Sequence, residues 1–574
     1  MLSRVLKSFL GRRPSAKPIV DRALSCYRAG AFGEAEQLLR TAVSEHPSDA
    51  AVLTNLALVL LVQNRGAEAA GLLEKALALD PQCAPAHCNY ATLLLASGRL
   101  EDAITHYRAA CRADPDFDAA TDQLLHALLQ ACDWDGADIQ AARLRKGMAR
   151  ASADKRMALI SPLTALFLRL DAQTCKQVAA YHADVHAQHP ANRVTLRARS
   201  AAVRPQRLKI GYFSGDFREH AVGRLLNTAF ALHDRGRFET YAFSFGPDDG
   251  SRYREAIASS VDHFVDIAAL SDADAAQTIA DCGIDVLVDL MGHTTGTRFG
   301  VLARRPAPVQ THFLGYPATT GASYIDYFVS DRVVTPPDPG HHFTETLVHV
   351  AECYMLSDGA EARGVIRAAR ADHGLPEAAC VYTNFSTPSR IDRESFALWM
   401  RILDAVPQSV LWLLGADLLV VKNLEREASS RGVDPQRLIF GARESHRPAH
   451  LGRLACADLA LDTLGWYNGH TTTADMLWAG VPVLTAPGGT FATRVAASLV
   501  TAAGLPELAV RTPGVFVTTA IALGHDRART RALRDKLREA RDIAPFFRTD
   551  RLIRDLETAY DAMYAGKIEP FAGL

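Results

Sequence analysis

Nothing in this 574-residue chain is long and apolar enough to span a bilayer. No run reaches the roughly 18–20 apolar residues a membrane helix needs, and the stretch from Val410 to Val421 is broken by Gly415 and Asp417. A helical integral membrane protein is excluded. A charge of one sign is equally lacking: 63 Lys and Arg face 64 Asp and Glu, leaving −1, so no global field points to a nucleic-acid partner. The ten cysteines are scattered, with Cys83 and Cys88 the nearest pair. That spacing fits neither a zinc site nor a disulfide framework and predicts reduced thiols in a cytoplasmic protein. No GxxxxGK[ST] occurs, which disfavours a P-loop nucleotide hydrolase. Residues 1–17 carry Arg4, Lys7, Arg12, Arg13 and Lys17 with no acid. Their apolar stretch is too short for a signal peptide and has no cleavage site; a basic leader and a weak membrane contact stay open.

What the chain does have is length enough for about three or four domains, and a composition, 48% hydrophobic and 22% charged, that matches folded proteins. Pro47, Pro81 and Pro115 are equally spaced, at the period of a helix-turn-helix repeat. In register with them come three alanine series: Ala23, Ala57 and Ala91; Ala35, Ala69 and Ala103; Ala42, Ala76 and Ala110. Small residues at these places let helices approach closely. Gly30, Asn64 and Gly98 fall at the turns, where a left-handed backbone costs them little. The pattern resembles the tetratricopeptide repeat, with a further first helix at 117–130. Such helix pairs stack into a superhelix whose concave face could take an extended peptide or serve to form an oligomer. From Asp133 the repeat step is no longer visible, and 160–170 reads as a buried helix.

At Arg207 short apolar runs begin to alternate with longer amphipathic ones, the βαβ texture of a parallel sheet covered on both faces. Predicted strands are 208–213, 240–245, 284–290, 309–314 and 324–329, then, after a link with Pro336, Pro337, Pro339 and Gly340, 379–384, 409–414, 438–441, 459–462 and 481–485. Two doubly wound halves with a cleft are expected, and ligands gather beyond the carboxyl ends of strands. The segment with Gly469, His470, Thr471, Thr472, Thr473 and Asp475 leaves a strand and enters a helix at 472–478. Hydroxyls and free N–H groups at a helix start suit phosphate, although the same threonines could be plain caps. His220 follows the first strand, where a histidine can accept or donate a proton. Arg390, past a strand and Pro388, could neutralise a diphosphate.

Three motifs then occur in order: Leu208-Lys-Ile-Gly-Tyr-Phe-Ser-Gly-Asp-Phe-Arg-Glu-His220, Leu314-Gly-Tyr-Pro317, and Asn468-Gly-His-Thr-Thr-Thr-Ala-Asp475-Met-Leu-Trp-Ala-Gly480. With the repeats before them, they resemble the protein O-linked N-acetylglucosamine transferases and their SPINDLY-like relatives, in the compact bacterial form. The resemblance implies a helical tetratricopeptide solenoid followed by a two-lobed GT-B glycosyltransferase. The expected organisation is a leader (1–17), repeats (18–130), a helical linker (131–205), an amino-terminal lobe with the interlobe link (206–372), and a carboxyl-terminal lobe with terminal helices (373–574).

It also implies inverting, metal-independent transfer of N-acetylglucosamine from a uridine diphosphate sugar to protein Ser or Thr, with no cofactor. His470, Thr471 and Thr472 match the residues that hold the diphosphate, and Asp475 the ribose-binding acid. His450 and Arg453, in Arg447-Pro-Ala-His-Leu-Gly-Arg453, match residues at the uracil, with 445–447 supplying backbone contacts. His220 matches a histidine whose role as base is disputed; Gly315, Tyr316 and Pro317 would border the sugar. In Asn384-Phe-Ser-Thr-Pro-Ser-Arg390-Ile-Asp, arginine stands where the family has a lysine beside the leaving diphosphate, and Thr387 where it has a glutamine. Arg390 is expected to face the Thr-rich turn across the gap between lobes. A guanidinium can stabilise the leaving group but not protonate it. The departures keep alternatives open: transfer of another sugar, such as fucose from a guanosine nucleotide or an acidic sugar onto flagellin, or a repeat-based adaptor with a degenerate transferase domain.

Overall fold

Evenly spaced alanines decide how the amino-terminal helices pack. In the computed structural model, which describes residues 17–28, 31–63, 65–151, 157–187, 205–336, 342–357, 359, 362, 365, 368–415 and 417–568, all nine of those alanines are fully buried. The helices pair as Lys17–Arg28 with Phe32–Glu45, Ala50–Val62 with Gly66–Leu79, Ala84–Ala96 with Leu100–Ala113, and Asp118–Gln130 with Trp134–Arg150. Each hairpin closes with the same bond: the N–H groups of Ala31, Arg65, Arg99 and Asp133 reach the carbonyls of Cys26, Leu60, Leu94 and Leu128, all at 2.9 Å. The repeat step therefore runs on past Pro115 through a complete fourth hairpin, whose second helix, Trp134–Arg150, the sequence pattern does not announce. There the left-handed turn position is held by Cys132 (φ 52°), not by a glycine such as Gly98 (φ 79°), so the punctuation that reveals the repeat is missing. Gly30, Asn64, Pro337, Pro339, Gly340 and the basic residues of 1–16 lie outside the described residues.

The expected buried helix at 160–170 is shorter, Pro162–Phe167, capped by Ser161, which accepts from the Thr164 N–H. Arg169 turns left-handed (φ 49°) and stops it. The described residues fall into two compact units, one within Met1–Leu168 and Asp184–Arg193, the other within Arg169–Ala183 and Val194–Leu574.

In the second unit, apolar runs become two parallel sheets. The first holds β1 (Leu208–Ser214), β2 (Phe238–Ser244), β3 (His263–Asp266), β4 (Val286–Asp289), β5 (Val309–His312), β6 (Tyr327–Ser330) and β7 (Thr346–His349), in the order β3-β2-β1-β4-β5-β6-β7. The second holds β8 (Cys380–Asn384), β9 (Ser409–Leu414), β10 (Leu438–Gly441), β11 (Leu459–Leu461) and β12 (Val483–Leu484), in the order β10-β9-β8-β11-β12. Two doubly wound lobes follow the repeats, as expected. The strands not anticipated, β3 and β7, are both edges of four residues, and β3 is partly exposed with His and Asp at its ends, so neither shows a buried-strand run.

Strand order reverses between β1 and β4 in the first sheet and between β8 and β11 in the second. At such switch points the loops diverge and leave a crevice at the carboxyl ends. The segments that follow β1, β5, β8, β10 and β11 carry the predicted site residues. Between the lobes, the buried Ser498 hydroxyl donates to Asp331 Oδ2 (2.6 Å) and Arg494 Nε to the Val333 carbonyl (2.8 Å). The last helix, Thr549–Tyr564, returns to the first lobe. There Glu557 accepts from the Asp234 N–H (2.7 Å) and meets His233 Nδ1 (3.1 Å), and Tyr560 meets the Tyr212 hydroxyl at 3.3 Å. Among the described residues no helix is long and apolar enough to cross a membrane.

Candidate active site

The Thr-rich turn is built around one carboxyl group. Asp462, just past β11, accepts from the N–H groups of Gly469 (2.7 Å) and Thr463 (2.9 Å) and from the Thr485 hydroxyl (2.6 Å). Burial pushes its pKa up to about 7, against those three donors and the nearby Arg390. These bonds fold 463–470 back onto the strand end and aim it into the helix Thr471–Trp478. A Cβ at Gly469 would lie 2.3 Å from Thr473 Oγ1, so glycine is what lets the turn close.

His470 caps this helix, but both its ring nitrogens are engaged. Nε2–H donates to the Ala492 carbonyl (3.2 Å) and Nδ1 accepts from the Tyr467 hydroxyl (2.9 Å). The ring is neutral: burial pushes its pKa well below the usual histidine range and Arg390 adds to the effect. What the turn can offer an anion is therefore first-turn N–H groups, which have no intrahelical acceptor, and the half-buried Thr471 and Thr472 side chains.

Arg390 ends the short helix Pro388–Arg390 after β8. Its guanidinium lies 4.1 Å over the Tyr467 ring, whose centroid is 4.2 Å from that of His470. Among the described residues it forms no ion pair. Arg390 thus stands beside the Thr-rich turn, as the neighbouring strands β8 and β11 require, and belongs to the same lobe. The expectation that it faces the turn across the interlobe gap is corrected on this point. Thr387, at the start of the same short helix, is exposed.

Beside this cradle, Arg453 Nε and Nη2 donate to His450 Nδ1 (3.2 and 3.0 Å), Nη1 donates to the Ala442 carbonyl, and the guanidinium sits 5.0 Å from the Phe385 ring centre. Burial lowers the His450 pKa to about 4; Arg453, Arg224 and Arg447 act in the same direction and Asp475 opposes them. Asp475 Oδ1 accepts from buried Arg447 Nη2 (2.8 Å), and its Oδ2 lies 3.9 Å from His450 Nε2. Arg224, whose charge acts on His450, is a first-lobe residue.

In the first lobe, His220 caps the helix Ala221–Leu226, its Nδ1 accepting from the Val222 N–H (3.3 Å) and lying 3.3 Å from Asp216 Oδ2. Burial lowers its pKa, with Arg218 and Arg224 assisting and Asp216 opposing. Its side chain is still 40% exposed, enough to meet a ligand. With Nδ1 accepting, the proton of the neutral ring is on Nε2, which then donates. Proton acceptance at Nε2 requires Nδ1–H to turn to Asp216. The 314–317 loop lies against the end of β4: a Cβ on Gly315 (φ 48°) would meet the Leu290 carbonyl at 2.4 Å. Pro317 is buried, and the Tyr316 ring is 1% exposed with its centroid 5.3 Å from His293, so this motif can present main chain to a ligand, not the phenol.

Sequence reasoning missed Asp462, Tyr467 and the Arg447 side chain, and, behind the 314–317 loop, His312 with Asp289. The one available signal was an acid closing each of two apolar strands. Among the described residues no group of three or more His, Cys, Asp or Glu is placed to hold a metal.

The profile described as "Glycosyl transferase family 41" matches residues 131–363 and 359–556. The chain belongs to glycosyl transferase family 41. A tetratricopeptide-repeat profile matches 20–82 and 54–118 of this family 41 chain. An Arabidopsis thaliana relative, "Probable UDP-N-acetylglucosamine--peptide N-acetylglucosaminyltransferase SEC", is 32% identical over 458 residues, covering 77% of this chain and 46% of its own. A Caenorhabditis elegans UDP-N-acetylglucosamine–peptide N-acetylglucosaminyltransferase is 26% identical over 551 residues, covering 75% and 48%. The family 41 chain thus spans about half the length of the curated relatives it matches. Among solved structures, a mutant O-GlcNAc transferase from Thermobaculum terrenum superposes with a TM-score of 0.69 at 29% identity, covering 99% of both chains.

Proposed function

We propose that this chain is an inverting protein O-glycosyltransferase that moves N-acetylglucosamine from UDP-N-acetylglucosamine to a Ser or Thr hydroxyl, without a metal. The observation that carries this reading is the Arg390 guanidinium, stacked on Tyr467, in no ion pair among the described residues, and set beside a helix start whose own histidine is neutral. A fixed cation and open N–H groups converge where a diphosphate would sit, and the names of the relatives supply the donor.

In this reading the leaving diphosphate gains negative charge as the glycosidic bond breaks. Arg390 and the Thr471 and Thr472 N–H and hydroxyl groups, already oriented, stabilise that charge without reorganising. Arg390 binds the departing oxygens but gives up no proton. Asp475, turned by Arg447, accepts from ribose hydroxyls; His450 and Arg453 pack against the base. His220 and the main chain of Gly315, Tyr316 and Pro317 border the sugar and incoming hydroxyl. A neutral His220 with its proton on Nε2 serves as a hydrogen-bond donor to substrate oxygen. The acceptor is a protein segment, and the repeat superhelix is the surface proposed to take it.

The test incubates the purified chain with UDP-, GDP- and CMP-sugars and candidate host proteins, then weighs intact products. Addition of an N-acetylhexosamine mass only with the UDP donor supports the proposal. A mass added only from a GDP or CMP donor replaces the sugar assignment, and no added mass from any donor rejects the transferase reading.

A further inference from the structure

Behind the 314–317 loop lies a buried pair that the proposed mechanism does not use. His312, the last residue of β5, and Asp289, the last of β4, are 0% and 1% exposed. His312 Nε2 is 3.1 Å from the Tyr316 carbonyl. A carbonyl only accepts, so Nε2 carries a proton. Nδ1 is 2.8 Å from Asp289 Oδ2, and Asp289 already accepts from the N–H groups of Met291 (3.1 Å) and Gly292 (2.9 Å). A carboxylate taking two N–H bonds takes the third from Nδ1 as well. The ring then donates at both nitrogens and is an imidazolium.

The surroundings agree. From β7's leading end Glu345 adds negative potential while itself accepting from the Thr319 hydroxyl (2.6 Å) and the Thr320 N–H (2.7 Å). β6 contributes the Phe328 ring, 5.0 Å between centroids. The loop after β4 contributes His293, which donates through Nε2–H to the Thr320 carbonyl (2.6 Å). Although burial opposes it, the bond to Asp289 and the charges of Asp289 and Glu345 raise the His312 pKa.

The loop it holds is strained. Leu314 (φ 62°) and Gly315 (φ 48°) are both left-handed, as is Gly292 (φ 56°) on the other side. A left-handed leucine is strained and persists only where surrounding bonds over-determine it. A buried ion pair is a poor way to gain stability compared with apolar packing, so its use here fits a role in geometry. We propose that His312 is a positioning residue for the transfer, a doubly protonated ring that clamps the 314–317 loop to the end of β4 and so sets the main chain bordering the donor sugar. This rests on the proposed reaction only for its consequence; the clamp itself is a statement about two protons.

The test has two readouts on the full chain. Nitrogen-15 spectra of histidine-labelled protein, assigned with His312→Gln, report the ring's protonation without any substrate. The expected result is a doubly protonated ring at neutral pH that becomes neutral in Asp289→Asn. A singly protonated wild-type ring at pH 7 overturns the proposal. Kinetics then compare wild type, His312→Gln and Asp289→Asn. The expected result is kcat lowered about tenfold or more, UDP affinity within twofold, and loss of the alkaline fall in kcat that wild type shows as the ring deprotonates. Equal losses in kcat and UDP affinity, or an unchanged pH profile, overturn it. If wild type transfers no sugar, the proposed reaction fails, while the nitrogen spectrum still decides the clamp.

Discussion

Replacing Arg390 with alanine separates catalysis from binding and from folding, because the structure gives the side chain few other duties. Its guanidinium stacks 4.1 Å over Tyr467 and makes no ion pair among the described residues. Losing a half-exposed cation–π contact costs about 1 kcal/mol of stability, within reach of a single denaturant titration. The leaving-group charge is another matter. A preoriented cation or donor aimed at developing charge is worth about 2.7–4 kcal/mol in a water-poor site, or 10²–10³ in kcat. The ground-state diphosphate of UDP is already anionic, so affinity falls too, but by less, since only the charge that grows during bond breaking is lost from kcat alone. Arg390→Lys should lie between: the charge remains, and the flat stacking surface and two-pronged donor set do not. The assay is initial-rate sugar transfer at saturating donor, with UDP affinity by calorimetry on the same preparations. If kcat and UDP affinity fall by the same factor, Arg390 only binds. If the unfolding midpoint collapses, it is part of the scaffold.

Further outcomes follow from the same geometry. His450 is held neutral with a pKa of about 4, below the ordinary value near 6.5, so the unfolded chain takes up its proton first. Stability should fall as pH drops from about 6.5 to 4, by about 3 kcal/mol from this residue, and His450→Gln should flatten that part of a denaturant-midpoint profile; an unchanged profile rejects the assignment. Asp462→Ala leaves the Gly469, Thr463 and Thr485 donors without their acceptor, at about 1–3 kcal/mol for each that stays dry, and should abolish UDP binding by releasing the turn. Asp462→Asn, which keeps an acceptor oxygen, should retain measurable binding by calorimetry. Gly315→Ala forces a Cβ to 2.4 Å from the Leu290 carbonyl; backbone cannot yield as a side chain does, so transfer should be lost with the unfolding midpoint lowered, and wild-type activity in that variant would show the loop to be misread.

The chain's own order of residues determined a good deal. Period and small-residue placement specified the helical hairpins, because an evenly repeated alanine seam can be buried in only one way, and all nine seam alanines are buried. Apolar runs specified most strands of the two sheets, because buried parallel strands leave little choice of residue. Glycine and threonine at a strand-to-helix junction marked the turn at 469–473. Two kinds of feature escaped. Edge strands β3 and β7 are short and lack a continuous apolar run. The fourth hairpin follows Pro115 but has neither glycine nor asparagine at its turn, which is taken by Cys132, and its second helix escaped with that signal.

Tertiary structure alone decided who partners whom, because hydrogen bonds and charge depend on distance in space while motif reading sees distance along the chain. It placed Arg390 beside Tyr467 and His470, which lie far onward in the chain, and in the same lobe as the turn. It bound up both nitrogens of His470, buried the Tyr316 ring, and turned Asp475 toward Arg447. It also joined His312 to Asp289 across neighbouring strands, a pairing no motif contains. Which residues can be inside is a property of the sequence; which proton sits on which nitrogen is settled only by what the fold places opposite it.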